Sequence, residues 1–319
     1  MYWFCGEHCS ELHQFRIEFC VSPIQITIKD VKMNKLAVIT SFLGAIKNRY
    51  VNYQPERPLA DKLEMAAKIE GCEGVELCYP ADFESPAETK ALLARHNLGV
   101  AAVNFRSRRS GKWWRGSFSS LIASEREEVV ADLQRTMDFA AELGCYRVTT
   151  CPLNEGVDNP FEADFTRLFD AAAETLTAAC SHNPQVKVCI EYKKNDPRAR
   201  SLFGSAGETS AFCLMTGADN LGATLDIGHA IQAEENPSQS AVLLARANRL
   251  FYVHLNDNDG HWDWDMMPGA YHIWEFVELF YTLRKLKYDE DWYAFDVFSK
   301  EINQVETFNA VMGLTRKLE

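Results

Sequence analysis

Residues 250–269 read "LFYVHLNDNDGHWDWDMMPG", and the fold turns on how this stretch divides. The first six residues are apolar or aromatic apart from His254, the composition of a strand buried on both faces. The chain then turns polar, with Asp257, Asp259, Asp263 and Asp265 close together and His261 among them. Carboxylates so gathered repel one another unless water screens them or a cation sits among them. A buried strand that ends in a histidine and opens into an acidic loop suits the C-terminal mouth of a parallel barrel, where side chains from several strands converge.

Seven further runs resemble the first six residues of that stretch: 36–42 "LAVITSF", 74–78 "GVELC", 99–104 "GVAAVN", 146–151 "YRVTTC", 186–191 "VKVCIE", 221–226 "LGATLD" and 292–297 "WYAFDV". Between them lie segments of helical spacing, such as Val129, Val130, Leu133, Met137, Ala140 and Ala141. Strand and helix alternating eight times predict an α/β fold, a (β/α)₈ TIM barrel forming one domain from about Met33 to Glu319. No GxGxxG or GxxxxGK[ST] follows a strand, which sets nucleotide folds aside. The opening segment, 1–32, has neither a basic start nor a long apolar stretch, and CxxxC with one histidine is a weak zinc signal. It is expected to be a poorly ordered or mis-started extension.

At 319 residues the chain is long enough for such a barrel, and no apolar run is long enough to span a bilayer. A net charge of −12 opposes general affinity for nucleic acid or anionic membranes. The ten cysteines are scattered, several in or beside apolar segments, as buried thiols in a reducing cytosol would be. A cytoplasmic enzyme, homo-oligomeric as a dimer or tetramer, is the expectation.

In a barrel of this kind chemistry gathers at the strand ends. The fifth run ends at Glu191, the sixth at Asp226, the seventh at His254, and the eighth carries Asp296. Alone, each has an ordinary explanation, such as a helix cap for Asp226 or a core histidine for His254. On four consecutive strands they predict one divalent metal, and the oxygen-rich set favours Mn²⁺, Mg²⁺ or Co²⁺ over a structural zinc. His229, Asp263 and Asp265, with Asp226 shared, offer a second cation site, while Asp257 and Asp259 are left as solvated or bonded to neighbouring loops.

Glu191-Tyr192-Lys193, Asp226 with His229, His254, Asp263 with Asp265, and Asp296 resemble the metal-site pattern of the xylose isomerase-like TIM barrels, particularly xylose and L-rhamnose isomerases. The resemblance implies that Glu191, Asp226, His254 and Asp296 hold a structural, substrate-binding metal. It further implies that His229, Asp263, Asp265 and bridging Asp226 hold a catalytic one, and that Lys193 polarises the substrate carbonyl. Two departures stand out: His254 replaces the carboxylate of xylose isomerases proper, and no clear ring-opening HxxD follows the early strands, where Glu76 is the one candidate. The length is nearer that of one-metal ketose 3-epimerases and hydroxypyruvate isomerases.

The implied activity is aldose–ketose isomerisation of a small sugar, with Lys193, Glu191, His229 and Asp265 as catalytic groups. A hydride shift needs oxygens clamped by cations and dry walls, for which Trp113, Trp114, Trp262 and Trp264 are candidates. Proton transfer, as in 3-epimerases, needs two carboxylate bases, and Asp296 is short for that part. Arg106 in "NFRSRRSGKWWRG" and Asn154 and Glu155 in "CPLNEGVD" are candidate substrate contacts. An endonuclease-like barrel is disfavoured by the acidic charge and the scarcity of further ligand histidines.

Overall fold

The computed structural model describes residues 33–319 apart from 49, 84, 114, 197 and 198, so the expectation for 1–32 and the position of Trp114 lie outside the described residues. Strands β1 (Lys35–Ile39), β2 (Gly74–Tyr79), β3 (Gly99–Phe105), β4 (Arg147–Thr150), β5 (Lys187–Glu191), β6 (Leu221–Asp226), β7 (Leu250–Leu255) and β8 (Trp292–Phe295) pair in parallel. Their order, β1-β8-β7-β6-β5-β4-β3-β2, closes the ring. All eight runs named from the sequence are strands, and the (β/α)₈ barrel is the fold.

Alternation along each strand divides the core in two. One set of side chains, including Leu36, Val38, Val188, Ile190, Val253 and Leu255, joins the large cluster shared with the outer helices. Among those helices α3 (Ala123–Glu142) buries Val129, Leu133, Met137 and Ala140, four of the six positions its spacing marks, while Val130 and Ala141 are partly buried. The alternate set, Ala37, Ala102, Cys189, Tyr252 and Ala294 among them, forms a smaller cluster of mostly compact residues suited to the narrow interior. At the lower end of β4 the buried Arg147 donates to the carbonyls of Ala101 (2.9 Å), Phe251 (3.1 Å) and Glu290 (3.0 Å). Its guanidinium lies 4.6 Å from the Tyr252 ring centroid and closes that end with a satisfied cation.

Two boundaries differ from the sequence reading by more than one residue. The first run stops at Ile39 because Thr40–Leu43 tightens into a 3₁₀ turn. The eighth stops at Phe295, so Asp296 sits one residue past the strand. A short helix, α6 (Ile227–Gln232), starts directly from β6, with Asp226 as its cap accepting from the His229 amide at 2.8 Å. Glycine is needed at position 228, where a Cβ would stand 2.7 Å from Asn256 Oδ1 and 2.9 Å from Asn258 Nδ2. Through that close approach Asn256 and Asn258 tie α6 to the loop after β7.

No helix among the described residues is long and apolar enough to cross a membrane.

Candidate metal and active site

The ends of β5, β6 and β7 and the residue after β8 bring Glu191, Asp226, His254 and Asp296 together, with one ligand atom from each lying within 4.8 Å of all the others. Strand register contributes directly, since Asp226 and His254 are cross-strand partners. His254 Nε2 is 3.0 Å from Glu76 Oε2. Its Nδ1 faces Glu191 Oε2 at 3.6 Å and Asp226 Oδ2 at 3.9 Å, and is buried without a hydrogen-bond partner among the described residues. A buried orphan nitrogen aimed at carboxylates is what a metal ligand looks like, so the donor set fits a divalent cation, with three carboxylates and one imidazole favouring the oxygen-preferring ions.

Electrostatics agree with a site built around positive charge. Burial, joined by Glu191 and Asp263, outweighs the opposing imidazoles of His229 and His254 and raises Asp226 to about 6. Burial and neighbouring carboxylates, Asp263 first for Asp265 and Glu191 first for Asp296, push both well above the usual carboxylate range. Burial opposes ionisation of Glu191 too, but the imidazoles of His254 and His229 outweigh it and hold this carboxyl down to about 2. Burial likewise opposes protonation of His229, yet Asp226 and Asp263 lift it to about 9.

The groups expected at a second cation site line the same cavity, of about 830 Å³, but in a different arrangement. Asp263 Oδ2 accepts from Lys193 Nζ at 2.8 Å and lies 3.1 Å from His229 Nε2. Asp265, at a positive φ of 48°, accepts from Asn256 Nδ2 at 3.4 Å, and its carbonyl accepts from Phe298 N at 2.8 Å. Among the described residues His229, Asp263 and Asp265 do not converge as the first four do; His229 instead groups with Cys151 and Glu191. Lys193 keeps its charge against the burial that opposes it, chiefly through Asp263.

The loop after β7 is held at both ends. Asp257 and Met266 exchange backbone hydrogen bonds of 3.0 and 2.8 Å. The buried Asp257 carboxylate accepts from the amides of Tyr271 (2.8 Å) and His272 (2.9 Å) and contacts His272 Nδ1 at 2.8 Å, just before α8 (Ile273–Leu286). Asp259 caps its own loop, accepting from the amides of His261 and Trp262.

Of the expected substrate contacts, Arg106 and Asn154 line the cavity. Arg106 donates to Ser41 Oγ at 2.9 Å and Cys78 Sγ at 3.3 Å. Two others need correction. Glu155 is wholly buried and its oxygens are taken by the amides of Ser117 (2.6 Å), Phe118 (2.8 Å) and Ser119 (2.8 Å) and by the hydroxyls of Ser117 and Ser119. It anchors the loop after β3 rather than facing substrate. Trp113, itself part of that loop, is buried, donating to Glu128 at 3.2 Å with Arg109 over its ring, and does not wall the cavity. Trp264 is 43% exposed, and the apolar cavity wall is Phe42, Ile46 and Phe298 instead.

Sequence reasoning missed Glu76 as a support. It is fully buried, accepts from Asn104 Nδ2 (2.8 Å) and Thr149 Oγ1 (2.7 Å), and backs His254, which leaves no room for the ring-opening part weighed for it. An isolated acid inside an apolar run was its signal. Asn256, donating to Asp226 Oδ2 at 3.1 Å, was missed also.

Comparison with known proteins agrees with this architecture. A xylose isomerase from Thermus thermophilus is 24% identical over 161 residues, 49% of this chain and 42% of that enzyme, so the match spans under half of the relative's length. A crystal structure of a D-tagatose 3-epimerase-like protein superposes with a TM-score of 0.68 at 18% identity, covering 89% of this chain and 97% of the other. An L-ribulose 3-epimerase gives 0.64 at 21% identity, covering 89% and 95%. Residues 63–318 match the family described as Xylose isomerase-like TIM barrel, and the chain belongs to that family.

Proposed function

We propose that this protein is a divalent-metal-dependent aldose–ketose isomerase acting on a small sugar and moving hydrogen between C1 and C2. Glu191, Asp226, His254 and Asp296 would hold the cation, Mn²⁺, Mg²⁺ or Co²⁺, which when bound supplies Lewis-acid polarisation of substrate oxygens. The observation that carries the reading is Lys193, whose ammonium lines the cavity beside these ligands and is fixed by Asp263 at 2.8 Å. A cation so placed can donate to a carbonyl oxygen at the reacting end of a sugar and stabilise charge developing there. Phe42, Ile46 and Phe298 keep one side of the cavity apolar, which disfavours exchange of hydrogen with water. Asp265 and His229 complete the polar wall, and a second cation there would require Asp263 to be shared with Lys193.

A ketose 3-epimerase acting by proton transfer is the second reading. It is favoured by the similarity in length and fold to proteins named as 3-epimerases. Against it stands Asp296, half-buried among the metal-facing carboxylates and a methylene shorter than glutamate. The deciding experiment is a screen of aldoses and ketoses with each metal in deuterated water. Aldose–ketose turnover with little solvent deuterium in product supports the isomerase; C3 epimers carrying deuterium at C3 would replace it with the epimerase.

A further inference from the structure

Seven cysteines are free among the described residues, and Cys151 differs from the others in where it stands. It directly follows β4, the same place on its strand that Asp296 occupies after β8, and it lines the site cavity. One ligand atom each from Cys151, Glu191 and His229 lies within 4.8 Å of the other two, and all three residues are buried. His229 Nδ1 is the second observation: buried, without a hydrogen-bond partner among the described residues, and 3.5 Å from Glu191 Oε1. Glu191 thus turns one oxygen toward His229 and the other toward His254.

We propose that Cys151, Glu191 and His229 form a site for a thiophilic divalent cation, Zn²⁺ or Cd²⁺, adjoining the oxygen-rich set and sharing Glu191 with it. Donor chemistry separates the two. Sulfur, imidazole and one carboxylate suit Zn²⁺ or Cd²⁺, whereas three carboxylates and one imidazole suit Mn²⁺ or Mg²⁺. Three protein ligands leave a fourth position open to the cavity, as tetrahedral coordination allows. On binding, the thiol releases its proton to solvent and sulfur donates an electron pair to the cation; no electron is transferred and no oxidant is needed. An ion there stands in the cavity and engages His229, so trace thiophilic metal would inhibit the enzyme. That consequence for turnover rests on the isomerase reading; the site does not.

The test is titration of the Mn²⁺-loaded protein with Cd²⁺, read by the ultraviolet sulfur-to-cadmium charge-transfer band. The wild type should develop a band that is missing from the same titration of Cys151→Ser and Cys151→Ala. Cadmium affinity in both variants should fall by no less than the roughly tenfold that even a supporting residue contributes to a metal site. Cadmium NMR of the wild type, whose shift separates sulfur from oxygen and nitrogen ligation, tests the thiolate without any variant. Superimposable titrations of wild type and Cys151→Ser, or no sulfur-type resonance in the wild type, overturns the proposal. A cysteine-dependent band in a protein that turns over no sugar leaves this site standing and removes the isomerase.

Discussion

His254 Nε2 lies 3.0 Å from Glu76 Oε2, and the two residues are 178 positions apart in the chain. The pairing puts the ring proton on Nε2 when the imidazole is neutral and leaves the Nδ1 lone pair facing Glu191 and Asp226. Glu76→Gln keeps the shape and removes the charge, and should weaken Mn²⁺ binding roughly 10- to 100-fold. Isothermal titration of the metal-stripped variant measures this; wild-type affinity would mean that His254 needs no such support.

Asp226 takes part in three relationships at once: it caps α6, accepts from Asn256 Nδ2, and faces the metal-ligand cluster. Asp226→Ala should abolish high-affinity metal binding and nearly all turnover. Metal content after dialysis is the measurement, and full occupancy would remove Asp226 from the ligand set.

Above about pH 5, where the lowered carboxyls Glu76, Glu191 and Asp263 are ionised in both states, stability of the metal-stripped protein should fall as pH rises to about 9. Asp226, Asp265 and Asp296 have folded-state values raised above the ordinary carboxylate range, and His229 is raised to about 9, so in this window the folded state binds more protons than the unfolded one. Each group's contribution is present below its unfolded value and lost through its folded one. Metal binding, which displaces those protons, should strengthen with pH and cancel the trend. Urea unfolding with and without Mn²⁺ across the range tests both signs.

Asp265→Asn should act in opposite directions on two quantities. Removing one of the crowded carboxylates relieves repulsion by Asp263, Asp296 and Asp226, so the metal-stripped variant should melt higher than wild type. If the isomerase proposal holds with Asp265 among its catalytic groups, turnover should nonetheless fall mainly through kcat. Thermal melts and steady-state kinetics on the same preparation check the pair.

Glu155→Ala strands three buried amides beneath the loop after β3 and should cost roughly 3 kcal/mol of stability. A lower urea midpoint at unchanged slope is the expected signature; an unchanged midpoint would mean that water replaces the carboxylate.

What the sequence made legible follows from what strands and ligands require locally. Each barrel strand is an apolar run bounded by polar residues, and the candidate ligand positions lie at or next to strand ends, so Glu191, Asp226 and His254 were readable once the runs were drawn. The same rule applied to "VTTC" points to Cys151, which its apolar surroundings disguised as an ordinary core thiol. Glu155 misled because an acid in a polar loop looks the same whether it meets a substrate hydroxyl or the amides of another loop. Glu76 and Asn256 stayed hidden because their roles arise from partners on other strands or helices, and spacing within one segment carries no record of these.

The ties of Asp257 to Met266, Tyr271 and His272 bear on how a cation would be met at the proposed metal site. Residues 258–265 form a ring clasped at its base, so the entropy of arranging Asp263 and Asp265 is lost once, during folding, and not again at each encounter with an ion. On the metal-dependent reading a cation would meet acids already held in place, with His272 fixing the base of the loop through Asp257. Loosening the clasp there would make metal loading slow and dependent on loop closure while every ligand remained in the chain.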